Sequence, residues 1–516
     1  MVRPALAAVA LGALHALSIA TPWNGQPLWW LQVLALAALV GVLARARSAR
    51  HAGLLAWLFA TAWIAGCTWW LFISMHRYGG LAAPLAALAV LALAAFLALY
   101  FGLAGAAFYR SNRLEMTGKR PWAAIIFAAC WLLAELARHH GFTGFPWGAS
   151  GYAHVDGPLA PLAPWAGVYG IGTAAALLAA SLGLALAGRL AWRWVAAALL
   201  ALVLLQWPGL PAVPTQSSGE VAVSLLQGNI AQGEKFDTAK GVPEALAWYG
   251  DELLAARERL VVAPETAIPL LPAQLPEDYW QALRARFARG ESAALVGIPL
   301  GSHEAGYRNA VVGLRPGADG PPYEYAKHHL VPFGEFIPPG FRWFTELMRI
   351  PLGDFTPGAL DQPSLAWAGQ RWAPNICYED LFGDELAARF VDPARAPTVM
   401  VNLSNIGWFG NGIAIDQHRS ISRMRALELA RPMIRATNTG ATAIIGADGR
   451  VQHELPRATR GVLRARVQGR EGITPYAWWA GRWGDGPLWL LALLTLLVGA
   501  WRGRRGTMAN RSFPAT

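Results

Sequence analysis

Long apolar runs dominate the first 208 residues of the chain. Each is close to the roughly 17 to 25 residues that a helix needs to cross a bilayer core of about 30 Å, where a helix satisfies its own backbone. Any single run also fits a buried helix of a water-soluble protein, but seven in succession leave no polar face for a soluble surface. We therefore predict a membrane domain of about seven transmembrane helices at residues 1–208 and an eighth span near the end of the chain. The eight runs are 4–20, 28–44, 52–73, 81–108, 122–138, 162–188, 192–207 and 487–501.

Between residues 216 and 486 the pattern changes to short β-rich runs that alternate with amphipathic segments. This alternation predicts a layered α/β domain with largely buried strands, of a length sufficient for one full core. A final transmembrane helix at 487–502 and a basic tail at 503–516 follow it. The predicted strands are 221–227, 259–265, 293–300, 308–315, 371–377, 398–405, 433–438 and 441–447, and the predicted helices are 243–258, 276–289, 380–391 and 416–430.

The basic excess of the chain lies in its apolar half. The formal net charge is +11, to which residues 1–208 contribute +9, residues 209–501 contribute −2 and residues 502–516 contribute +4. Basic residues cluster in alternate connections between the apolar runs. The positive-inside rule therefore puts both termini in the cytoplasm and the α/β domain outside it. A nucleic-acid-binding surface is excluded, because 10 of the 12 basic residues before position 209 lie on the predicted cytoplasmic side.

Two features of the membrane half have alternative interpretations. The first run follows Arg3 and resembles a signal peptide, but the six spans directly behind it favour an uncleaved anchor. Glu135 lies inside the fifth run near Arg138, and an acid at that depth is costly. It either pairs with Arg138 or lines a polar cavity that opens outward, and the sequence does not decide between these.

The candidate chemistry centres on a lone cysteine of the α/β region. Cys67 and Cys130 fall inside apolar runs, where a small buried side chain is the default interpretation, whereas Cys377 is the only cysteine outside them. Cys377 ends the apolar strand RWAPNIC and precedes a helical segment. From such a turn a nucleophile projects beyond the sheet, and backbone N–H groups and a helix end would lower the thiol pKa and hold an oxyanion.

Two further charged residues occupy comparable positions. Glu265 closes another predicted strand, and Lys327 opens a turn-rich segment, so both are expected near the thiol. Taken singly, Glu265 and Lys327 also fit surface salt bridges, and Cys377 fits core packing.

The segments around these three residues match a known pattern. VAPETAIP (262–269), KHHLVPFGEFIP (327–338) and NICYED (375–380) occur in the order Glu, Lys, Cys, which resembles the nitrilase (carbon–nitrogen hydrolase) superfamily. With the membrane half, the closing helix and the motifs GFPW (144–147) and RMRALELARP (423–432), residues 1–500 resemble the bacterial apolipoprotein N-acyltransferase family.

The resemblance implies an αββα sandwich for the outer domain and a reaction at the outer face of the bacterial inner membrane. Members of this family take an acyl chain from a phospholipid onto the cysteine as a thioester. They then pass it, with ping-pong kinetics, to the N-terminal α-amino group of the diacylglyceryl-cysteine of an apolipoprotein. By this resemblance Cys377 is the nucleophile, Glu265 the general base and Lys327 the cation that stabilises the oxyanion. Further residues that the family requires are matched by Glu335, Tyr378 and Glu379.

An apolar segment after the lysine motif is a candidate contact with lipid. Residues 341–352 mix apolar side chains with Arg342 and Arg349, and the apolar ones include Phe341, Trp343 and Phe344. Such a loop suits an enzyme that draws acyl chains from a bilayer. The alternative is that these residues pack on the α/β core.

Two positions depart from the family pattern. Phe236 stands where the family has a Trp, so an aromatic ring is kept but an indole N–H is lost. Ile406 replaces an Asp in SNIGWFG (404–410), which predicts local repacking.

No motif indicates a metal ion or an organic cofactor. The adjacent His328 and His329 would point to opposite faces of an extended segment, which argues against a chelating pair. The expected partners are a phospholipid donor, a diacylated apolipoprotein and the bilayer, without nucleic acid, and we expect a monomer.

Two other function classes compete with acyl transfer. A membrane-tethered amidase or nitrilase acting on a small substrate would use the same three residues, but such a substrate requires neither the spans nor the loop at 341–352. A non-catalytic scaffold or transporter would have no reason to retain Glu265, Lys327 and Cys377 together.

Overall fold

The computed structural model describes residues 2–113, 121–207, 213, 215–317, 320–342 and 354–511, and the chain divides into two compact units. The helical unit consists of residues 1–69, 83–212 and 483–516, and the α/β unit consists of residues 70–82 and 213–482. The connection 70–82 between two apolar helices is thus part of the α/β unit, which the hydropathy pattern does not indicate.

The helical unit is built from apolar helices that pack around a core of small and aromatic side chains. Trp63 and Trp131 stack in this core with ring centroids 5.6 Å apart. The helices are α1 (Val2–Ile19), α2 (Trp29–Ala44), α3 (Ala49–Thr68), α5 (Ala83–Leu97), α6 (Leu99–Arg113), α7 (Trp122–His140), α8 (Ala163–Leu186) and α9 (Trp192–Leu205), whereas α4 (Leu71–Ile73) belongs to the α/β unit.

Length and hydropathy allow five of the described helices to cross a membrane, or six if the closing helix and the short helix before it form one bent span. The predicted count of about eight spans is therefore not confirmed. Two of the predicted spans are α2 and α9, which are apolar but have only 16 and 14 residues. At 1.5 Å per residue such helices rise about 21 to 24 Å, which is less than the bilayer core.

Glu135 is paired inside the helical unit. Its Oε2 lies 2.9 Å from Nη2 of Arg138, and its Oε1 accepts a hydrogen bond from the main-chain N–H of Ser150 at 3.0 Å. Arg138 also donates to the main-chain oxygen of Trp147, at 2.8 Å. The ion-pair interpretation of Glu135 is the one that the structure supports.

The α/β unit contains two six-stranded sheets. Their strand orders are β12-β1-β2-β3-β4-β5 and β11-β10-β9-β8-β7-β6. The strands are β1 (Gln216–Gln227), β2 (Leu260–Ala263), β3 (Ala293–Ser302), β4 (Gly306–Leu314), β5 (Tyr323–Ala326), β6 (Leu365–Trp367), β7 (Gln370–Ile376), β8 (Val399–Ser404), β9 (Met433–Thr437), β10 (Ala443–Ile445), β11 (Val451–Glu454) and β12 (Gly461–Glu471).

The two sheets pack face to face, and helices cover their outer faces. The inner core combines Leu225 and Val262 of the first sheet with Trp372 and Val401 of the second. Apolar side chains of α10 and α11 bury the outer face of the first sheet, and those of α12, α13 and α14 bury the outer face of the second. This is the predicted αββα sandwich. The helices are α10 (Gly241–Ala255), α11 (Glu277–Arg289), α12 (Gly383–Ala387), α13 (Ile413–Leu429), α14 (Pro475–Trp483) and α15 (Gly486–Arg511), of which α15 belongs to the helical unit.

All eight predicted strands are present, and the four that the pattern does not predict are β5, β6, β11 and β12. These four are the edge strands of the two sheets. An edge strand is only partly buried and carries polar or charged side chains, so its hydropathy pattern is weak. In β12, for example, only Val467 and Gly469 are buried.

Candidate active site

Parallel strands bring three of the predicted residues to corresponding edges of the two sheets. Strands β1, β2 and β3 run parallel, as do β7, β8 and β9. Strand β5 points the same way as β3, because both are antiparallel to β4. Glu265, Lys327 and Cys377 follow the carboxyl ends of β2, β5 and β7, where sites of α/β proteins commonly form.

Cys377 occupies a strained turn directly after β7. Its φ of +51° is a left-handed value that L side chains rarely adopt, and strain of this kind persists where the surrounding structure enforces it. The side chain is half-buried. The predicted sharp turn is present, although a short 3-10 helix, Cys377–Leu381, follows it in place of an α-helix.

Glu379 fixes this turn to the neighbouring strand. Its Oε2 accepts a hydrogen bond from the main-chain N–H of Ile376 at 2.5 Å, and its Oε1 accepts one from the main-chain N–H of His328 at 2.7 Å. The hydroxyl of Tyr325 lies 2.9 Å from both carboxylate oxygens. Glu379 thereby ties the end of β7 to β5 and to the segment that carries Lys327.

Tyr378 is buried against the same segment. Its ring centroid lies 5.7 Å from that of His329 and 5.3 Å from that of Phe382. The two adjacent histidines have separate partners: Nδ1 of His328 lies 2.8 Å from the main-chain oxygen of Gly358, and Nδ1 of His329 lies 2.9 Å from Glu385. They point apart, as the sequence predicts.

Glu265 stands in a tight turn after β2. The turn closes through a hydrogen bond from the N–H of Ala267 to the oxygen of Pro264, at 3.1 Å, and Thr266 has a φ of +46°. Gly297 of β3 packs directly beneath it, because a Cβ at this position would lie 2.2 Å from the oxygen of Pro264. The close approach of two backbones therefore requires glycine at 297.

Both carboxylate oxygens of Glu265 accept hydrogen bonds. Nδ2 of Asn309 donates to Oε1 at 2.7 Å, and the main-chain N–H of Asn405 donates to Oε2 at 2.8 Å. The ammonium of Lys327 lies 3.6 Å from Oε1. These contacts fix both carboxylate oxygens beside the lysine, and a general base has to be held in place in this way.

A second carboxylate holds Lys327 in place. Nζ of Lys327 lies 3.0 Å from both oxygens of Glu335, and Nδ2 of Asn309 donates to Glu335 Oε1 at 2.7 Å. Lys327, Glu265 and Glu335 are all less than a tenth exposed. Burial opposes the charge of Lys327, but the Glu335 and Glu265 carboxylates outweigh it and raise the lysine pKa above its ordinary value.

The predicted lowering of the thiol pKa is wrong. Burial, followed by the Glu265 carboxylate, raises the pKa of Cys377 to about 12, although Lys327 opposes this shift. At neutral pH the side chain is therefore a thiol, and its proton has to leave during attack. A base beside it is a requirement of the site.

Lys235 is a site residue that the sequence patterns do not indicate. It is buried, and its Nζ donates to the main-chain oxygen of Glu265 at 3.1 Å and to Oγ1 of Thr266 at 2.6 Å. Burial lowers the pKa of Lys235 to about 7, and the Glu265 charge only partly offsets this. A lysine next to an exposed aromatic residue reads as a surface residue, so only the fold reveals its role.

Asn309 also lies outside the sequence prediction. It is a single amide within the apolar strand β4, and a polar side chain in a buried strand is the signal that would have indicated it.

The predicted lipid-contacting residues divide into two groups. Phe236 is 54% exposed and Phe341 is 42% exposed, so both rings are available at the surface of the α/β unit. Trp343 and Phe344 lie outside the described residues. Ile406 is buried at the start of a 3-10 helix, where an apolar side chain packs without needing a partner.

A cavity of about 610 Å³ adjoins this site within the α/β unit. Its wall includes Arg77, Tyr78 and Gln232. Oε1 of Gln232 accepts a hydrogen bond from the Asn405 side chain at 2.8 Å, and the main-chain N–H of Asn405 contacts Glu265. Asn405 is therefore the one residue between this cavity and the Glu265 carboxylate.

Comparison with known proteins identifies the family to which the chain belongs. The profile of the apolipoprotein N-acyltransferase N-terminal domain matches residues 11–181, and that of carbon–nitrogen hydrolase matches residues 222–476. The apolipoprotein N-acyltransferase of Verminephrobacter eiseniae (strain EF01-2) is 56% identical over 502 residues, covering 92% of this chain and 92% of the relative. That of Ralstonia nicotianae (strain ATCC BAA-1114 / GMI1000) is 44% identical over 505 residues, covering 97% and 94%. Among solved structures, a carbon–nitrogen hydrolase from Helicobacter pylori G27 is 16% identical, covers 48% of this chain and 89% of its own, and has a TM-score of 0.36. The chain belongs to the apolipoprotein N-acyltransferase family.

Proposed function

We propose that this protein transfers an acyl chain from a phospholipid, through a thioester on Cys377, to the α-amino group of the diacylglyceryl-cysteine at the N-terminus of apolipoproteins. The observation that carries the proposal is the buried cluster in which Glu265, held on both oxygens, lies 3.6 Å from Lys327 in the site that contains the Cys377 thiol. The relatives named as apolipoprotein N-acyltransferases favour this reaction over a membrane-tethered amidase.

The first half-reaction forms the thioester. Glu265 takes the proton of the Cys377 thiol while the sulfur attacks the ester carbonyl carbon of the phospholipid, so a C–S bond forms. The carbonyl oxygen becomes an oxyanion, which the Lys327 ammonium and the N–H of Tyr378 stabilise. The C–O bond to the glycerol then breaks, and the leaving alkoxide takes the proton back from Glu265. The products are an acyl-enzyme and a lysophospholipid.

The second half-reaction forms the amide. The α-amino nitrogen of the acceptor attacks the thioester carbonyl, and Glu265 takes a proton from that nitrogen. The same two donors stabilise the second oxyanion. The C–S bond then breaks, and the cysteine sulfur recovers its proton from Glu265. Each half-reaction returns Glu265 to its ionised form, which predicts ping-pong kinetics.

The pairing of Lys327 with two carboxylates suits this cycle. Glu335 neutralises the Lys327 charge in the resting site and fixes its Nζ at 3.0 Å, so the lysine is in place before negative charge develops on the substrate. A preorganised cation of this kind loses little free energy to reorganisation during the reaction. Losing such a donor typically costs about 3 to 4 kcal/mol of barrier.

The same proposal includes the setting of the reaction. Both termini lie in the cytoplasm and the α/β unit lies on the outer face of the inner membrane, which the distribution of basic residues supports. The exposed rings of Phe236 and Phe341 contact the bilayer or the acyl chain. The protein acts as a monomer.

Intact-protein mass spectrometry tests the proposal. The purified protein is incubated with one defined phospholipid, and we expect a mass increase of one acyl group on Cys377 that hydroxylamine removes. Cys377→Ala and Glu265→Gln should not gain it, whereas Glu291→Gln, a change at an exposed carboxylate, should gain it like the parent. Addition of a diacylated lipopeptide should then discharge the adduct into an N-acylated product. Absence of the adduct together with ammonia release from small amides would favour the amidase instead.

A further inference from the structure

A fully buried polar network lies behind Cys377 in the α/β unit. It comprises His418 of α13, Arg435 of β9, Asp380 and Ser422, each at most 1% exposed. Nη1 of Arg435 lies 3.1 Å from Oδ2 of Asp380. The hydroxyl of Ser422 accepts a hydrogen bond from Arg435 and donates one to Asp380. The mechanism above uses none of these four side chains. Buried charges of this kind are costly unless they are paired, and here Arg435 and Asp380 pair with each other next to Cys377.

The contacts of His418 fix the position of its proton. Nη2 of Arg435 lies 3.2 Å from Nδ1 of His418, and a guanidinium can only donate, so Nδ1 accepts. The proton of the ring therefore resides on Nε2, which lies 3.1 Å from the main-chain oxygen of Cys377 and donates to it. Burial, followed by the charge of Arg435, lowers the pKa of His418 well below its ordinary value, in agreement with a neutral ring.

A second donor reaches the same carbonyl. Nδ2 of Asn402, on β8, lies 3.4 Å from the oxygen of Cys377 and 2.6 Å from Oδ1 of Asn375. Two side chains from different elements thus hold one carbonyl of a residue whose φ is +51°. Without them this strained peptide unit would have a lower barrier to rotation towards a relaxed conformation.

The carbonyl that they hold belongs to the peptide unit of the oxyanion donor. The oxygen of Cys377 and the N–H of Tyr378 are parts of one planar trans peptide, so they point in opposite directions. Fixing the oxygen towards His418 therefore directs the N–H of Tyr378 the opposite way within the same plane. A rotation of this unit would replace a donor by a carbonyl oxygen at the position where negative charge develops.

We propose that His418 is a positioning residue for acyl transfer, which orients the N–H of Tyr378 towards the oxyanion by holding the carbonyl of Cys377. Arg435 and Asp380 act through His418 by fixing its tautomer. The inference rests on the proposed function, because it requires a reaction in which an acyl oxyanion forms on Cys377.

Two reactions of the same thiol test this role. Thioester formation from a phospholipid passes through an oxyanion, whereas alkylation by iodoacetamide is a direct displacement at carbon that forms none. We expect His418→Leu to slow thioester formation by about 10- to 100-fold, part of the loss that follows removal of one oxyanion donor. Alkylation of Cys377, located by peptide mass spectrometry, should stay within about twofold of the parent, because the thiol and its base are unchanged.

Companion variants separate positioning from general damage. His418→Gln retains an N–H donor near the position of Nε2 and should recover most of the thioester rate, whereas His453→Leu, at an exposed histidine of β11, should leave both rates unchanged. If His418→Leu does not fold, His418→Asn takes its place. The side chain of asparagine is too short for its amide to reach the carbonyl of Cys377, so slower thioester formation and unchanged alkylation are again expected.

The outcomes are distinguishable from failure of the proposed function. If the parent forms no thioester with phospholipid, the proposed function is wrong. If the parent forms it and His418→Leu does so at the same rate, or if thioester formation and alkylation fall together, the positioning role is wrong.

Discussion

Nδ2 of Asn309 lies 2.7 Å from a carboxylate oxygen of Glu265 and 2.7 Å from one of Glu335. One amide thus bridges the two acids that flank Lys327. Removing it leaves two buried carboxylates around a single ammonium. We expect Asn309→Ala to lower kcat by about 10- to 100-fold and the free energy of unfolding by about 1 to 3 kcal/mol, the typical effect of an unsatisfied buried group. Steady-state kinetics with phospholipid and lipopeptide, together with thermal unfolding in detergent, measures both. Asn411→Ala, at an exposed asparagine, is the control and should change neither quantity.

Lys235 should make the stability of the protein depend on pH. Its pKa is about 7 in the folded protein and 10.5 when unfolded, so between these values the unfolded chain binds more protons and folding becomes more favourable as pH rises. Below pH 7 the folded protein carries the full penalty of a buried charge. The Tm of Lys235→Met minus the Tm of the parent should therefore be more positive at pH 6 than at pH 9. Lys240→Met, at an exposed lysine, should show a difference that is the same at both pH values. A Lys235→Met difference that does not vary with pH would contradict this expectation.

The thiol of Cys377 should titrate far above neutral pH. With a pKa of about 12, its thiolate fraction grows about tenfold for each pH unit below that value. The rate of Cys377 alkylation by iodoacetamide should accordingly rise by about tenfold per unit from pH 7 to pH 10 without a plateau. Cys377→Ser supplies the background for label at other positions. A plateau below pH 9 would show that the free thiol is already activated in the resting enzyme.

Gly297 should tolerate no side chain, although it lies outside the catalytic cluster. A Cβ there would lie 2.2 Å from the oxygen of Pro264 and 2.8 Å from Cα of Glu265, so the turn that carries the base has to move. We expect Gly297→Ala to lower the free energy of unfolding by about 1 to 3 kcal/mol and to lower kcat by more than tenfold. Gly320→Ala, where a Cβ meets nothing within 4 Å, should behave like the parent in unfolding and turnover assays.

Orientation in the membrane can be measured by cysteine labelling in a Cys377→Ser background. Ser302→Cys, at an exposed position in the α/β unit, should react in intact cells with a maleimide that does not cross the inner membrane. Arg47→Cys, in an exposed connection of the helical unit, should react only after the membrane is permeabilised. The reverse pattern would overturn the proposed orientation.

Much of the fold was determined by the sequence alone, because the hydrophobic periodicity of a segment and the length of an apolar run are local properties of the chain. The long apolar runs predicted membrane helices, and eight short apolar runs predicted eight of the twelve strands that the described residues form. The runs at α2 and α9 look like spans in hydropathy, yet the helices end after 16 and 14 residues. The edge strands were not predicted because partial burial leaves little apolar signal.

For the site, the sequence predicted which residues carry the chemistry, since Glu265, Lys327 and Cys377 stand in short motifs that end strands. It did not determine their electrostatics. The local pattern predicted a lowered thiol pKa, but burial and a carboxylate from another strand raise it. Asn309, Lys235 and His418 act through contacts over 44, 30 and 41 residues of chain, and such distances close only in the folded sandwich. Desolvation and hydrogen bonding depend on which side chains surround a group in space, so only the tertiary structure decided them.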